Sequence, residues 1–103
     1  MHSLIQDRVA AVADLCVKHC VRRLALFGSS TTPHFDPTRS DLDVLVEFQP
    51  MPPAQHADSY FGLMEDLQRL FGRQIDLIEP GSIRNPYLRQ AILASQVILY
   101  DAA

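Results

Sequence analysis

The run Ser40-Asp-Leu-Asp-Val-Leu-Val-Glu-Phe48 is the feature that most constrains this chain. Side chains alternate across a strand, so residues two apart share a face. Asp41 and Asp43 therefore aim at one spot, while Leu42, Val44, Val46 and Phe48 form the opposite, packing face. Leu45 lies on the carboxylate side, one step deeper. A strand that is apolar on both faces except for two acids at its mouth belongs inside a sheet, with its end given over to chemistry. Carboxylates paired in this way suit a hard divalent cation, Mg²⁺ above all, which takes oxygen ligands and usually shares them with phosphates.

Just upstream, Val21 to Phe27 reads as a first strand ended by Gly28, with Ser29 and Ser30 following. Glycine permits a tight turn and a close approach of the backbone. Pro33 and Pro37 keep the segment up to Arg39 mostly loop. A loop between the first two strands permits an antiparallel pair. His34 and Arg39 read as solvent-exposed loop residues. Asp36 with Asp41 does not make a calcium loop, because Pro37 intrudes and the central glycine is missing.

The remaining elements follow from periodicity. Residues 3 to about 20 read as an amphipathic helix with Ser3 as N-cap, Gln6 at capping-box spacing, and Ile5, Val9, Val12, Cys16 and Cys20 as its apolar stripe. Pro50, Pro52 and Pro53 stop the second strand. Gln55 to Phe71 is a second long helix, with Tyr60, Leu63, Met64, Leu67, Leu70 and Phe71 at helical spacing and Gly72 at its C-terminal end. Gln74 to Ile78 is a third strand. Asn85-Pro86 supplies the N-cap and first position of a helix to about Ala94, with Leu88, Ile92 and Ala91 inward. Val97 to Tyr100 is a short last strand. A helix between the second and third strands is long enough for a crossover, which allows them to lie parallel. The expected fold is α/β (α+β): a single domain over residues 1–103 with a small mixed sheet flanked by helices.

Composition narrows the function. Of 103 residues 48% are hydrophobic and 20% charged, which is globular, and the net charge of −3 argues against direct nucleic-acid binding through a phosphate-seeking surface. Cys16 and Cys20 read as small buried thiols in a reducing cytoplasm; a zinc site with His19 lacks a second Cys/His pair to close it. The N-terminus carries early charges and no apolar run, so no signal peptide is expected, and no stretch is long enough to cross a membrane. Arg84 and Arg89, near the last helix, either meet a nucleotide or partner or line a solvated face.

Asp76 sits in Gln74-Ile-Asp-Leu-Ile78 among apolar neighbours. An ionised carboxylate there either turns to water at a sheet edge or is paired or bound to a cation. The Asp41-Leu-Asp43 strand favours the second reading if the two strands are neighbours.

Gly28-Ser29, a loop, Asp41-Leu42-Asp43 and a later strand acid at Asp76 together resemble the minimal nucleotidyltransferase domain of the DNA polymerase β superfamily. The closing Asn85-Pro-Tyr-Leu-Arg-Gln-Ala-Ile-Leu and Val97-Ile-Leu-Tyr100 resemble the tail of such domains, so the likeness covers essentially the whole chain. It implies a polymerase β-like palm core, with Gly28, Ser29 and the adjoining Ser30 at the phosphates of ATP. It implies that Asp41 and Asp43 bridge two Mg²⁺ ions, Mn²⁺ being an alternative, and that Asp76 completes the site of the ion activating the attacking hydroxyl. Asp41, Asp43 and Asp76 would then be both metal ligands and catalytic residues. Two departures stand out: the Ser30–Ser40 interval is one residue longer than the family's usual one, and Ser30, Thr31, Thr32 and Pro33 replace its common Arg-Gly pair. Stand-alone domains of this kind are often cytoplasmic antitoxins paired with a small helical HEPN ribonuclease toxin, and some move AMP from ATP to a tyrosine of that toxin. That is the function expected here. The alternatives are a non-catalytic module that neutralises its partner by contact, and a transferase acting on a small hydroxylated molecule.

Overall fold

The computed structural model describes residues 3–31 and 41–102, apart from the Ser29 side chain. The expectations for Pro33, His34, Asp36, Pro37 and Arg39 lie outside the described residues.

Two helices, α1 (Ser3–Gln6) and α2 (Val9–Lys18), stand where the periodicity predicts one. Ser3 is the first residue of α1 rather than its cap. The chain turns at Arg8, with φ −114° and ψ 5°. Arginine bridges the break: Nη1 donates to Leu4 O at 2.9 Å and Nε to Leu70 O at 3.2 Å, so carbonyls near two helix ends gain partners. Ile5, Val12 and Cys16 are buried as the stripe requires, whereas Cys20 falls beyond the helix at φ 59°. Both thiols are free, and burial pushes that of Cys16 up to about 12.

Strands β1 (Val21–Leu26), β2 (Leu42–Phe48), β3 (Ile75–Ile78) and β4 (Val97–Asp101) form one sheet in the order β3-β2-β1-β4. β1 is antiparallel to β2 and β4, and β2 is parallel to β3. The crossover is α3 (Pro53–Phe71). It starts two residues before Gln55, because proline suits a first helical turn that needs no N–H. Gly72 ends it at φ 64°, donating its N–H to Gln68 O at 2.8 Å. Asn85 caps α4 (Pro86–Ser95), its Oδ1 accepting the N–H of Tyr87 at 2.9 Å and of Leu88 at 3.2 Å.

The sheet has two unlike faces. Leu24, Leu26, Leu42, Val44, Val46, Ile75 and Leu77 pack with α1, α2 and α3 in the main core. Ala25, Phe27 and Leu45 on the other face pack with Ile83, and Ile78 and the α4 residue Ile92 close over them. The inward placement of Leu88 and Ala91 is corrected: both are exposed, and α4 has no fully buried residue. Among the described residues no helix is long and apolar enough to cross a membrane.

Two polar contacts tie the layers together. Lys18 Nζ and His19 Nε2 meet Asp66 Oδ2 at 3.0 and 2.7 Å, joining the end of α2 to α3. Gly62 leaves the notch for that imidazole, since a Cβ there would lie 2.8 Å from His19 Cε1. The hydrogen bond from His19, helped by Lys18, holds the Asp66 carboxyl below its ordinary 3.8. A carboxyl depressed by folding stabilises the native state above its unfolded pKa, and that contribution disappears as pH falls through the folded value. The melting temperature should therefore drop as pH is lowered below about 4, and Asp66→Asn should flatten that acid limb. An unchanged acid limb in thermal melts of the variant would contradict this role.

The second contact closes the β3 edge. Tyr60, on α3, donates its hydroxyl to Leu77 O. Burial, followed by the charges of Glu79 and Asp76, raises this phenol's pKa. Tyr60→Phe should cost about 1 kcal/mol for the lost bond. In a domain of this size that lowers the melting temperature by roughly 4–8 °C.

Candidate functional site

One end of the sheet gathers the exit of β1 and the entries of β2, β3 and β4, because Leu26 pairs with both Val44 and Val97, and Leu42 with Ile75. The sequence-predicted residues converge at this end. The parallel register sets Asp43 directly beside Asp76. Paired residues on neighbouring strands point to the same face, so the two carboxylates share the face that carries Leu45 and Ile78. Asp41 lies just before β2, two residues from Asp43, and is exposed, as is Asp76; Asp43 is half-buried.

The turn after β1 holds Asp43 from several sides. Phe27 N–H donates to Asp43 O at 3.1 Å. Gly28–Thr31 then forms one 3-10 turn, closed by Thr31 Oγ1 donating to Gly28 O at 2.8 Å. Ser30 is buried, and its Oγ accepts the Asp43 N–H at 2.9 Å. Its oxygen is thus engaged with the acid strand, and its O–H can still donate to a second partner. Gly28 has φ 61°, and a Cβ at that position would stand 2.6 Å from Asp43 Oδ2. Glycine is needed here for its backbone conformation and for the carboxylate lying over it. Sequence reasoning foresaw the glycine turn but not this second reason, which exists only once β1 and β2 have paired.

Three carboxylates with a hydroxyl-rich turn beside them make an oxygen-donor set of the kind hard divalent cations take. Among the described residues no three of His, Cys, Asp and Glu stand close enough together to hold a metal ion as they are. The pairing of Asp43 with Asp76 is the observation that fits a cation, because it sets two oxygen-donor carboxylates side by side on one face of the sheet. Tyr60 was read from sequence only as a member of an apolar stripe. Its bond to Leu77, next to Asp76, also steadies the free side of the strand that carries this acid.

A glycine turn and acids from two adjoining strands thus stand together at one sheet end. The model of the nucleotidyltransferase domain family matches residues 11–99, and the chain belongs to that family. It is 36% identical over 75 residues to a Methanocaldococcus jannaschii protein provisionally named a protein adenylyltransferase, the match covering 73% of this chain and 72% of that one. Its structure superposes on a minimal nucleotidyltransferase with a TM-score of 0.66 at 29% identity, covering 90% of each chain. It also shares its fold with a chain from the complex of tri-AMPylated Shewanella oneidensis HEPN toxin with MNT antitoxin, at a TM-score of 0.62 and 17% identity, covering 94% of this chain and 72% of that one. The molecule is a nucleotidyltransferase with the mixed four-stranded fold of the minimal members.

Proposed function

We propose that residues 1–103 act as one domain, in the cytoplasm, that moves AMP from ATP to a hydroxyl of a partner protein, a tyrosine of a helical HEPN toxin. The observation that carries this reading is the register of Asp43 with Asp76 beside the Gly28 turn. The names of the adenylyltransferase relatives and of the toxin–antitoxin structure support the choice of AMP and of a HEPN partner.

In this reading Gly28 and Ser29 lie against the triphosphate, with Ser30 fixing the turn to β2. Asp41, Asp43 and Asp76 would hold Mg²⁺, or Mn²⁺ in its place; when bound, such ions neutralise phosphate charge and make a hydroxyl a better nucleophile. Asp76 faces the arriving acceptor, being exposed at the open side of β3. The acceptor oxygen forms a bond to the α-phosphorus, the bond from that phosphorus to the bridging oxygen breaks, pyrophosphate leaves, and the hydroxyl proton passes to Asp76 or water. Positioning and charge stabilisation account for the rate in this chemistry.

The test is to incubate the protein with ATP, Mg²⁺ and the product of the adjacent reading frame, then weigh the intact partner. We expect a mass gain of one or more AMP groups, lost in Asp76→Asn more completely than ATP binding is lost. No gain, together with equal inhibition of the partner by wild type and Asp76→Asn, would establish the contact-only antitoxin instead.

A further inference from the structure

We infer that the cleft between α3 and the open edge of β3 holds an arginine side chain of the acceptor protein, and so helps select which hydroxyl comes to Asp76. That purpose rests on the proposed transfer to a protein; the binding of arginine does not. The cleft has a volume of about 330 Å³. Pro53, Ala57 and Phe61 of α3 line one side of it, and Leu77 and Glu79 the other. Phe61 is 66% exposed. Its ring stands edge-on to that of Tyr60, with centroids 5.2 Å apart and planes at 89°. Tyr60 also lines the cleft and is tied to Leu77 O, so one ring of the pair is fixed to the strand. Aromatic faces beside an apolar slot are a surface on which a guanidinium stacks.

The polar end of the cleft carries a positioned carboxylate. The His56 ring stands edge-on to Phe48, with centroids 5.3 Å apart, and its Nε2 lies 2.6 Å from Glu79 Oε1. The imidazole thus holds one oxygen of Glu79 and leaves Oε2 without a hydrogen bond among the described residues. Residues 53–64 and 74–83, which include the whole lining, contain Asp58, Asp76 and Glu79 but no Lys or Arg. Arg69, further along α3, is paired with Glu65 and Asp66. Arg73 and Arg84 flank these segments but do not line the cleft. An apolar slot with aromatic rings and a half-satisfied carboxylate suits a flat cation on an aliphatic stem. Arginine meets both demands, whereas lysine brings a point charge that neither stacks nor forks. A second copy of this chain meeting the cleft across a two-fold axis would set Asp58, Asp76 and Glu79 against their own kind.

Position links the cleft to the acid site. β3 is the outermost strand on its side of the sheet, and Glu79 continues it in extended conformation, at φ −96° and ψ 137°. Glu79 lies three residues beyond Asp76, a distance of about 10 Å along a strand. An odd separation sends the two side chains to opposite faces, so an acceptor that meets both straddles the open edge of β3. The arginine it brings then stands roughly 10 Å from the hydroxyl at Asp76.

The experiment titrates the protein with N-acetyl-arginine amide at low salt and follows backbone amide shifts by NMR. We expect saturable shifts centred on Ala57, Phe61 and Glu79, with a Kd on the order of 10 mM for so small a probe. Glu79→Gln and Phe61→Ala should each weaken them about tenfold, and both variants should keep the wild-type melting temperature and Mn²⁺-dependent ATP binding. No saturable shift at the cleft overturns the inference. So do equal shifts from N-acetyl-citrulline amide, which has the shape without the charge, or tighter binding of N-acetyl-lysine amide. Sedimentation that finds wild type self-associated and Phe61→Ala monomeric overturns it in favour of a second copy. With the adjacent reading frame's product as acceptor, Glu79→Gln should raise KM for that protein and leave kcat in place. Arginine binding in a protein that transfers nothing would leave the cleft standing and remove the transfer reading. Transfer by a protein whose cleft shows no arginine shifts would do the reverse.

Discussion

Replacing Asp41 and Asp43 together by asparagine should remove transfer and the stabilisation by metal and nucleotide, while leaving the sheet intact. A ligand at a hundredfold excess over its Kd stabilises the native state by about 2.7 kcal/mol. For a domain of this size that is a rise in melting temperature on the order of 10 °C or more. Asparagine keeps the shape of each side chain but takes away the charge that a divalent cation needs. Asp41 is exposed and Asp43 half-buried, so neither substitution opens a cavity in the core. Without added ligand the variant should melt near wild type. With Mn²⁺ and ATP the wild type should rise and the variant should not, and transfer should fall by 10²–10³-fold or more, roughly the loss of a principal electrostatic contact. A metal-dependent rise that survives in the double variant would sink the assignment of these acids.

Gly28→Ala should be almost as damaging to activity, for a reason visible only in three dimensions. An alanine at φ 61° carries a backbone penalty of roughly 1–2 kcal/mol. Its methyl group would also overlap Asp43 Oδ2 and push the carboxylate aside. A shift of about 1 Å in a positioned group can cost 10²-fold in rate. Gly72→Ala is the control, because Gly72 has φ 64° but nothing within 4 Å of an added Cβ. Both variants should therefore lose similar stability in thermal melts, and only Gly28→Ala should also lose transfer. Equal transfer by the two variants would mean that the space over Gly28 is not needed by the site.

The elements legible in the sequence were those set by local periodicity and local chemistry. The alternation around Asp41 and Asp43 fixed which face of β2 is polar. A loop before β2 and a helix after it permitted an antiparallel and then a parallel neighbour, and the sheet realises both, with Asp76 beside Asp43. Asn85 and Gly72 marked helix ends through backbone requirements that hold in any context. What escaped depends on distant partners. The apolar stripe runs on through Arg8, so only its bonds to Leu4 and Leu70 reveal the break there. The bond that the Ser30 oxygen accepts from the Asp43 amide also escaped, because it exists only once β1 and β2 have paired. Leu88 sits at core spacing yet stays exposed, because α4 covers only part of its sheet face.

The parallel pairing of β2 with β3 also orders events in time. Asp43 and Asp76 are separated in the chain by the whole of α3, so their pairing exists only after the crossover has docked. Such long-range parallel contacts form late, since the intervening loop must close before they yield any stabilisation. A chain still emerging or half collapsed holds the Gly28 turn and the first two acids without the third. In the proposed site, competence to bind metal and nucleotide then waits on the docking of β3, and a ligand bound there would oppose the undocking of that same strand.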